Sequence, residues 1–174
     1  MSDLREEIEA CVRGRSCLVG VGNTDSGDDA LGVRLAESLR AAAGIGDGGG
    51  DAPEIIAAGP APERFLPHLA DGGYDTVLFL DAVDFGGAPG SVVLLDSMQM
   101  AERFPQISTH RVSLGTLACA IEADGKTRVW LLGVQPNSLV GEASLTSAVQ
   151  QTVDMLVKLF VAALARTQTD PVRV

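Results

Sequence analysis

Ser16-Cys17-Leu18-Val19-Gly20-Val21-Gly22 is a short apolar run that closes on glycines, and the polar stretch Asn23-Thr24-Asp25-Ser26-Gly27-Asp28 follows it. Leu31, Leu35 and Leu39 then recur every four residues. A run this short, without polar alternation and bounded by glycine, reads as a strand buried on both faces. The three leucines fall on one stripe of a helix, and Asp28 is placed to cap its start. A doubly buried strand that feeds an amphipathic helix is the repeating unit of a parallel sheet covered by helices.

The pattern continues outward from this unit. Residues 76–80 (Thr-Val-Leu-Phe-Leu) form a central strand that ends at Asp81, and residues 128–134 form a last apolar strand. Residues 53–58 give a shorter strand. Residues 91–95 give another, entered through Gly86-Gly87-Ala88-Pro89-Gly90. Helices are expected over residues 3–13, 62–69 and 113–122. A closing helix carries Leu145, Val149, Val153, Leu156, Phe160 and Leu164 on one face and Gln150, Asp154 and Lys158 on the other. The Gly/Pro link between the third and fourth strands is too short for a crossover helix, so that pair is expected to be antiparallel. The fold class that follows is α/β: a three-layer α/β/α sandwich around a mixed, mostly parallel sheet of about five strands, with residues 1–174 as a single domain.

Composition narrows the function. A net charge of -10 without a basic cluster disfavours nucleic acid and anionic membrane as partners, since phosphate affinity rests on Lys and Arg. The opening residues are acidic where a secretory signal would be basic. The longest apolar stretch, near the C-terminus, is broken by Asp154 and Lys158. Cys11, Cys17 and Cys119 are odd in number and lack ligand spacing, so they read as reduced thiols of a cytoplasmic protein with packing roles.

Two glycine motifs invite a nucleotide and fail on detail. Gly20-Val21-Gly22 has two glycines of the dinucleotide fingerprint, but Asp25 stands where the third belongs. Asp25, Asp28 and Asp29 also put carboxylates where a pyrophosphate needs amides. Gly125-Lys126-Thr127 ends like a phosphate-binding loop, yet it precedes a strand and lacks the first glycine, so it is a surface turn. Neither the H-E-x-x-H nor the G-x-S-x-G signature occurs.

Ligands of open α/β sheets sit beyond the carboxyl ends of the strands. Asp28 and Asp29 follow the first strand, Asp81 ends the third, and His110 opens a helix. Asp29, Asp81 and His110 make an oxygen/nitrogen donor set suited to zinc, nickel or manganese, with positions left open for water or substrate. Each residue also has an ordinary reading: Asp29 as a first-turn acid, Asp81 as an acceptor for loop amides. His68, the other of two histidines, is expected to pack on a helix edge.

Gly20-Val21-Gly22-Asn23, followed by Gly27-Asp28-Asp29-Ala30-Leu31-Gly32-Val33, resembles the opening signature of the hydrogenase maturation proteases. Leu80-Asp81-Ala82-Val83-Asp84 with Pro89-Gly90, Ser108-Thr109-His110 with Leu114, and Leu132-Gly133-Val134-Gln135-Pro136 agree with it in the same order. The resemblance implies an endopeptidase that removes a C-terminal peptide from the large-subunit precursor of a nickel–iron hydrogenase. It implies that Asp29, Asp81 and His110 serve as both metal-binding and catalytic residues. The nickel arrives in the precursor and is not resident, with zinc or another divalent ion able to stand in for it in vitro. Gly59-Pro60-Ala61-Pro62-Glu63 and Gln135-Pro136 look most like the branch serving formate-hydrogenlyase-type hydrogenases. The Asp-Gly-Gly usual before that loop reads Ala57-Ala58-Gly59 here, which leaves any role of that Asp unfilled.

Two rival readings stand beside this one. A nickel-sensing chaperone of the large subunit would keep the site and cut nothing, and a nucleotide-binding α/β enzyme would need the broken glycine fingerprint to work. Docking of the precursor is expected at Gly46 to Gly50 and at the turn after Phe85, which surround the proposed site.

Overall fold

The computed structural model describes residues 3–43, 52–103, 112–141 and 144–169. In chain order these form α1 (Leu4–Cys11), β1 (Ser16–Val21), a 3-10 turn (Gly27–Ala30), α2 (Leu31–Ala43), β2 (Glu54–Gly59), a second 3-10 turn (Pro62–Phe65) and α3 (Leu66–Asp71). There follow β3 (Thr76–Ala82), β4 (Val92–Asp96), α4 (Ser97–Arg103), α5 (Leu114–Ile121), β5 (Arg128–Val134) and α6 (Ser147–Thr169). The sheet order is β2-β1-β3-β5-β4. The first four strands in that order are parallel, and only β4 runs the other way.

All six residues of β1 and six of the seven in β3 are buried, as a strand covered on both faces requires. Successive side chains go to opposite layers. Leu18, Leu78, Leu80 and Leu132 meet Leu31, Leu35 and Leu39 of α2, Ile8 of α1 and Val153, Leu156 and Phe160 of α6. Val19, Val21, Val77, Phe79 and Leu131 meet Leu69 of α3, Met100 of α4 and Leu117 and Ile121 of α5. The three-layer architecture read from the apolar pattern is therefore the observed one.

The expected pairing of the third and fourth strands is corrected. β4 lies antiparallel to β5, and β5 stands between it and β3. The connection from β3 crosses over the end of β5: Val83 donates its N–H to the Val134 carbonyl (3.0 Å), Gly90 to that of Gln135 (2.8 Å), and Gln135 to that of Ser91 (2.8 Å). The chain thus lands on the far side of β5, which takes the inner place through its parallel crossover from β3. Helix α4 is also new, since residues 97–103 carry no apolar stripe beyond the buried Met100.

Among the described residues, α6 is the one helix long and apolar enough to cross a membrane by length and composition. Here its apolar face, from Val149 to Leu164, is spent on the core against α1 and α2.

Cys11 and Cys17 are buried as expected, and Cys119 is exposed, which corrects its packing role. Burial pushes both inner thiols up to about 12, with Glu7 adding to the effect at Cys11 and Glu54 at Cys17. The thiolate is the reactive form, so iodoacetamide at pH 8 should alkylate Cys119 alone in the folded chain and all three thiols in urea. Mass spectrometry of the peptides checks this, and native-state labelling of Cys17 would contradict the closed core.

Candidate functional site

At the carboxyl edge of the sheet the chain folds back sharply. Gly22 has φ +133, and a Cβ there would lie 1.8 Å from the Asp29 carbonyl oxygen. Its N–H donates to the Gly59 carbonyl at 3.0 Å, which joins the loops after β1 and β2. Gly20 and Gly32 make the next close approach: a Cβ on Gly20 would sit 2.3 Å from the Gly32 carbonyl oxygen. The glycines of the first motif are therefore used for backbone-on-backbone packing of α2 against β1 and β3. Asp29's own backbone covers Gly22, so no phosphate can approach it, and the structure supplies a physical reason for the broken fingerprint.

The polar turn is held by its own side chains. Asn23 donates its N–H to Asp29 Oδ2 (3.0 Å) and its Nδ2 to Ser26 Oγ (3.1 Å), while Asn23 Oδ1 accepts from Asp25 N–H (3.0 Å). Asp29 is half-buried on a 3-10 turn that packs against β3. One oxygen of its carboxylate is thus oriented by the backbone of the strand-end loop.

Asp28 does something other than cap α2. It is fully buried, and it accepts hydrogen bonds from Asn137 N–H (2.8 Å), Ser138 N–H (3.0 Å), Thr146 N–H (2.7 Å) and the Thr146 hydroxyl (2.9 Å). Burial opposes its ionisation, but these donors outweigh burial and hold the carboxyl below its ordinary value. The expected helix cap is a tie between the loops after β1 and β5.

Asp81 lies on β3 opposite Gly133 of β5 and is 5% exposed. By strand alternation it shares the face of Phe79, the side covered by α3 and α5. Just beyond, Gln135 organises the turn that leaves β3. Its Oε1 accepts from Phe85 N–H (2.9 Å) and Gly87 N–H (3.1 Å), and its Nε2 donates to Asp84 Oδ1 (3.0 Å). That bond from Gln135, with one from Gly86 N–H, lowers the Asp84 carboxyl below the usual range. The sequence motifs at residues 80–84 and 132–136 are thus two halves of one hydrogen-bonded corner. Sequence reasoning missed Gln135 as the organiser, although a buried glutamine directly after an apolar strand is the kind of signal that marks one.

The structure brings Asp29 and Asp81 to the same edge, at the ends of adjacent parallel strands. His110 lies outside the described residues, as does the glycine-rich stretch Gly46 to Gly50. The next described residue after His110 is the second one on, and Val112 packs on the same layer of the core as Phe79. Ser113 then caps α5, its Oγ accepting from Thr116 N–H at 3.2 Å. Among the described residues alone, no group of three His, Cys, Asp or Glu could hold a metal ion. The turn after Phe85 is exposed at the same edge, at Gly86, Ala88 and Pro89.

His68 is away from this edge. Instead of packing on a helix edge, it joins a polar cluster at the amino end of the sheet. Its Nε2 lies 2.8 Å from Glu54 Oε1 and 3.0 Å from the Tyr74 hydroxyl, which also donates to Glu54 Oε2. Gly125 closes a turn in which Asp124 Oδ1 accepts from Lys126 and Thr127 N–H, as the surface reading of that motif requires.

A family model described as hydrogenase maturation protease matches residues 33–163. The hydrogenase 2 maturation protease of Escherichia coli K12 is 28% identical over 91% of this chain and 95% of its own length. The hydrogenase 3 maturation protease of the same strain is 31% identical over 79% of this chain and 83% of its own length. Among solved structures, the NiFe hydrogenase maturation protease HycI of Thermococcus kodakarensis KOD1 superposes with a TM-score of 0.78 at 27% identity, covering 91% of this chain and 99% of that one. The relatives include proteases of both hydrogenase 2 and hydrogenase 3 at similar identity, so they do not separate the branches.

Proposed function

Since the chain belongs to the hydrogenase maturation protease family, we propose that it removes a C-terminal peptide from the nickel-loaded large-subunit precursor of a nickel–iron hydrogenase, in the cytoplasm. Asp29, Asp81 and His110 recognise the nickel that the precursor carries. The observation that supports this most directly is the convergence of Asp29 and Asp81 at one strand edge. Asp29 is oriented there by Asn23 N–H, and Asp81 is buried on the face of the core that Val112 also joins.

Two carboxylates and an imidazole are a donor set that borderline divalent ions accept. They suit a substrate-borne nickel better than a permanent site, since other ligands come with the precursor. Hydrolysis of the peptide bond requires a polarised carbonyl, a water activated by loss of a proton, and a proton delivered to the leaving nitrogen. On this reading the precursor's nickel polarises the carbonyl or the water, and Asp29 or Asp81 moves the proton. Cys11 and Cys17 are closed off in the core, with thiols too weakly acidic to attack at neutral pH, and neither stands at this edge.

The test uses purified chain with precursor prepared with and without nickel. Mass spectrometry should show a shortened large subunit only with nickel, and no shortening by Asp29→Ala or His110→Ala variants. Retained cleavage in both variants would defeat the role given to the trio. Tight binding of the loaded precursor without shortening would turn the reading to a nickel-sensing chaperone.

A further inference from the structure

Gln135 directly follows the last residue of β5 and is 7% exposed. Its Oε1 accepts from Phe85 N–H (2.9 Å) and Gly87 N–H (3.1 Å), and its Nε2 donates to Asp84 Oδ1 (3.0 Å) and the Pro136 carbonyl (3.3 Å). A side-chain amide has two lone pairs and two N–H donors, so this one is fully used. Three of its partners belong to the turn that begins just after Asp81.

The turn is already fastened to β5 by its backbone. Val83 donates to Val134, Gly90 to Gln135 and Gln135 to Ser91, while the Thr152 hydroxyl of α6 donates to the Gly90 carbonyl at 2.7 Å. What the Gln135 side chain adds is the shape of Asp84–Gly87 between those fastenings. Gly86, exposed at φ +77, and Gly87 give that stretch a backbone freedom which the amide removes. The shape bears on Asp81 through Val83. Asp81 is in register with Gly133, and a Cβ at Gly133 would come within 3.2 Å of a methyl of Val83. The Val83 side chain therefore lies over Gly133, on the flank of Asp81, and is buried in the same layer as Phe79.

We propose that Gln135 is a positioning residue for Asp81: its amide fixes the Asp84–Gly87 turn, and the turn keeps Val83 packed over Gly133 beside that carboxylate. The inference rests on the function proposed above, in which Asp81 binds the precursor's nickel or moves a proton. Either task depends on place, since a misplacement of about 1 Å can cost roughly a hundredfold in rate. A rigid support behind such a group is what a buried, fully bonded amide supplies.

The test compares wild type, Gln135→Met, Asp84→Ala and the double variant. Methionine fills nearly the same space without charge or strong hydrogen bonds. Asp84 is exposed, so Asp84→Ala breaks one bond of the clamp even if Gln135→Met fails to fold. With nickel-loaded precursor, kcat should fall about tenfold or more in Gln135→Met, with KM within about twofold of wild type and circular dichroism that of the folded chain. Asp84→Ala should lose less, and the double variant no more than Gln135→Met alone, because both break one clamp. A second measurement needs no precursor. The carboxyl 13C resonance of Asp81, identified by its absence in Asp81→Asn, should shift in Gln135→Met, while that of Asp96, on β4 opposite Trp130, stays in place. Wild-type kcat in a folded Gln135→Met chain would make Gln135 a structural residue only and overturn the inference. A raised KM with kcat intact would make the turn a docking surface and overturn it too, and so would losses that multiply in the double variant. A wild type that leaves the loaded precursor intact removes the proposed function, and the Asp81 resonance then decides alone: unmoved in Gln135→Met, it overturns the positioning as well.

Discussion

Gly32→Ala should cost the fold about 3 kcal/mol, the upper end of what overpacking usually does. The position lies in the first turn of α2, where alanine would ordinarily be favoured by nearly 1 kcal/mol over glycine. Here the new methyl would lie 2.0 Å from the Leu80 carbonyl oxygen and 2.3 Å from that of Val21. Both are backbone atoms at the ends of the two central strands, so no rotamer change can clear them. Relief requires α2 to lift from the sheet, which would open the contacts of Leu31, Leu35 and Leu39 with Leu18, Leu78 and Leu80. Gly20→Ala should behave alike, since its methyl would meet the Gly32 carbonyl from the opposite side. Urea denaturation followed by far-ultraviolet circular dichroism measures this. A shift of the midpoint without a change of slope identifies a loss of native-state stability. A Gly32→Ala chain with the wild-type midpoint would mean that α2 does not sit on β1 and β3 as described. The same collision would displace Asp29, so activity should fall with stability in this variant and cannot be read as a catalytic effect.

The glycines show where sequence reading reached and where it stopped. Gly20 and Gly22 were legible as the close of a strand before a turn and helix, because short apolar strands and four-residue leucine spacing are local patterns, whereas Gly32 entered only through the family motif. Their purpose was not legible, since it lies in how the chain folds back: Gly22 is crowded by Asp29, Gly20 by Gly32, and Gly32 by Leu80 on another strand. Asp28 repeats the lesson: short-range rules made it a helix cap, whereas its partners at Asn137 and Thr146 are 109 and 118 residues away. The place of β4 failed in the same way. The short link after β3 correctly excluded a crossover helix, but no local feature says that β5, later in the chain, will occupy the inner position. His68 could be judged only by its apolar neighbours in sequence, and Glu54 and Tyr74 come to it through the fold. Asp29 and Asp81, in contrast, were legible as a pair because parallel strands put all their carboxyl ends on one edge.

Asp81→Asn is the substitution that separates chemistry from architecture most cleanly. Asparagine keeps the shape of the side chain and removes its charge and its capacity to take up a proton. If Asp81 served only to satisfy loop amides at the end of β3, the amide oxygen could accept the same donors and cleavage would stay near wild type. If it binds the precursor's nickel or moves a proton, cleavage of loaded precursor should fall on the order of a thousandfold, with the urea midpoint little changed. A pull-down of loaded precursor then divides the two active roles. A nickel ligand is lost from the complex, so binding weakens together with kcat. A proton carrier leaves binding intact and kcat alone falls. Asp29→Asn should follow the same logic with one difference. Asp29 Oδ2 already accepts from Asn23 N–H, so the asparagine will turn its oxygen to that donor and present its NH2 group toward the site. An NH2 group can neither bind a cation nor accept a proton. The loss at Asp29 should therefore be at least as large as at Asp81, and near-wild-type cleavage by both variants would leave the carboxyl edge without the chemistry assigned to it.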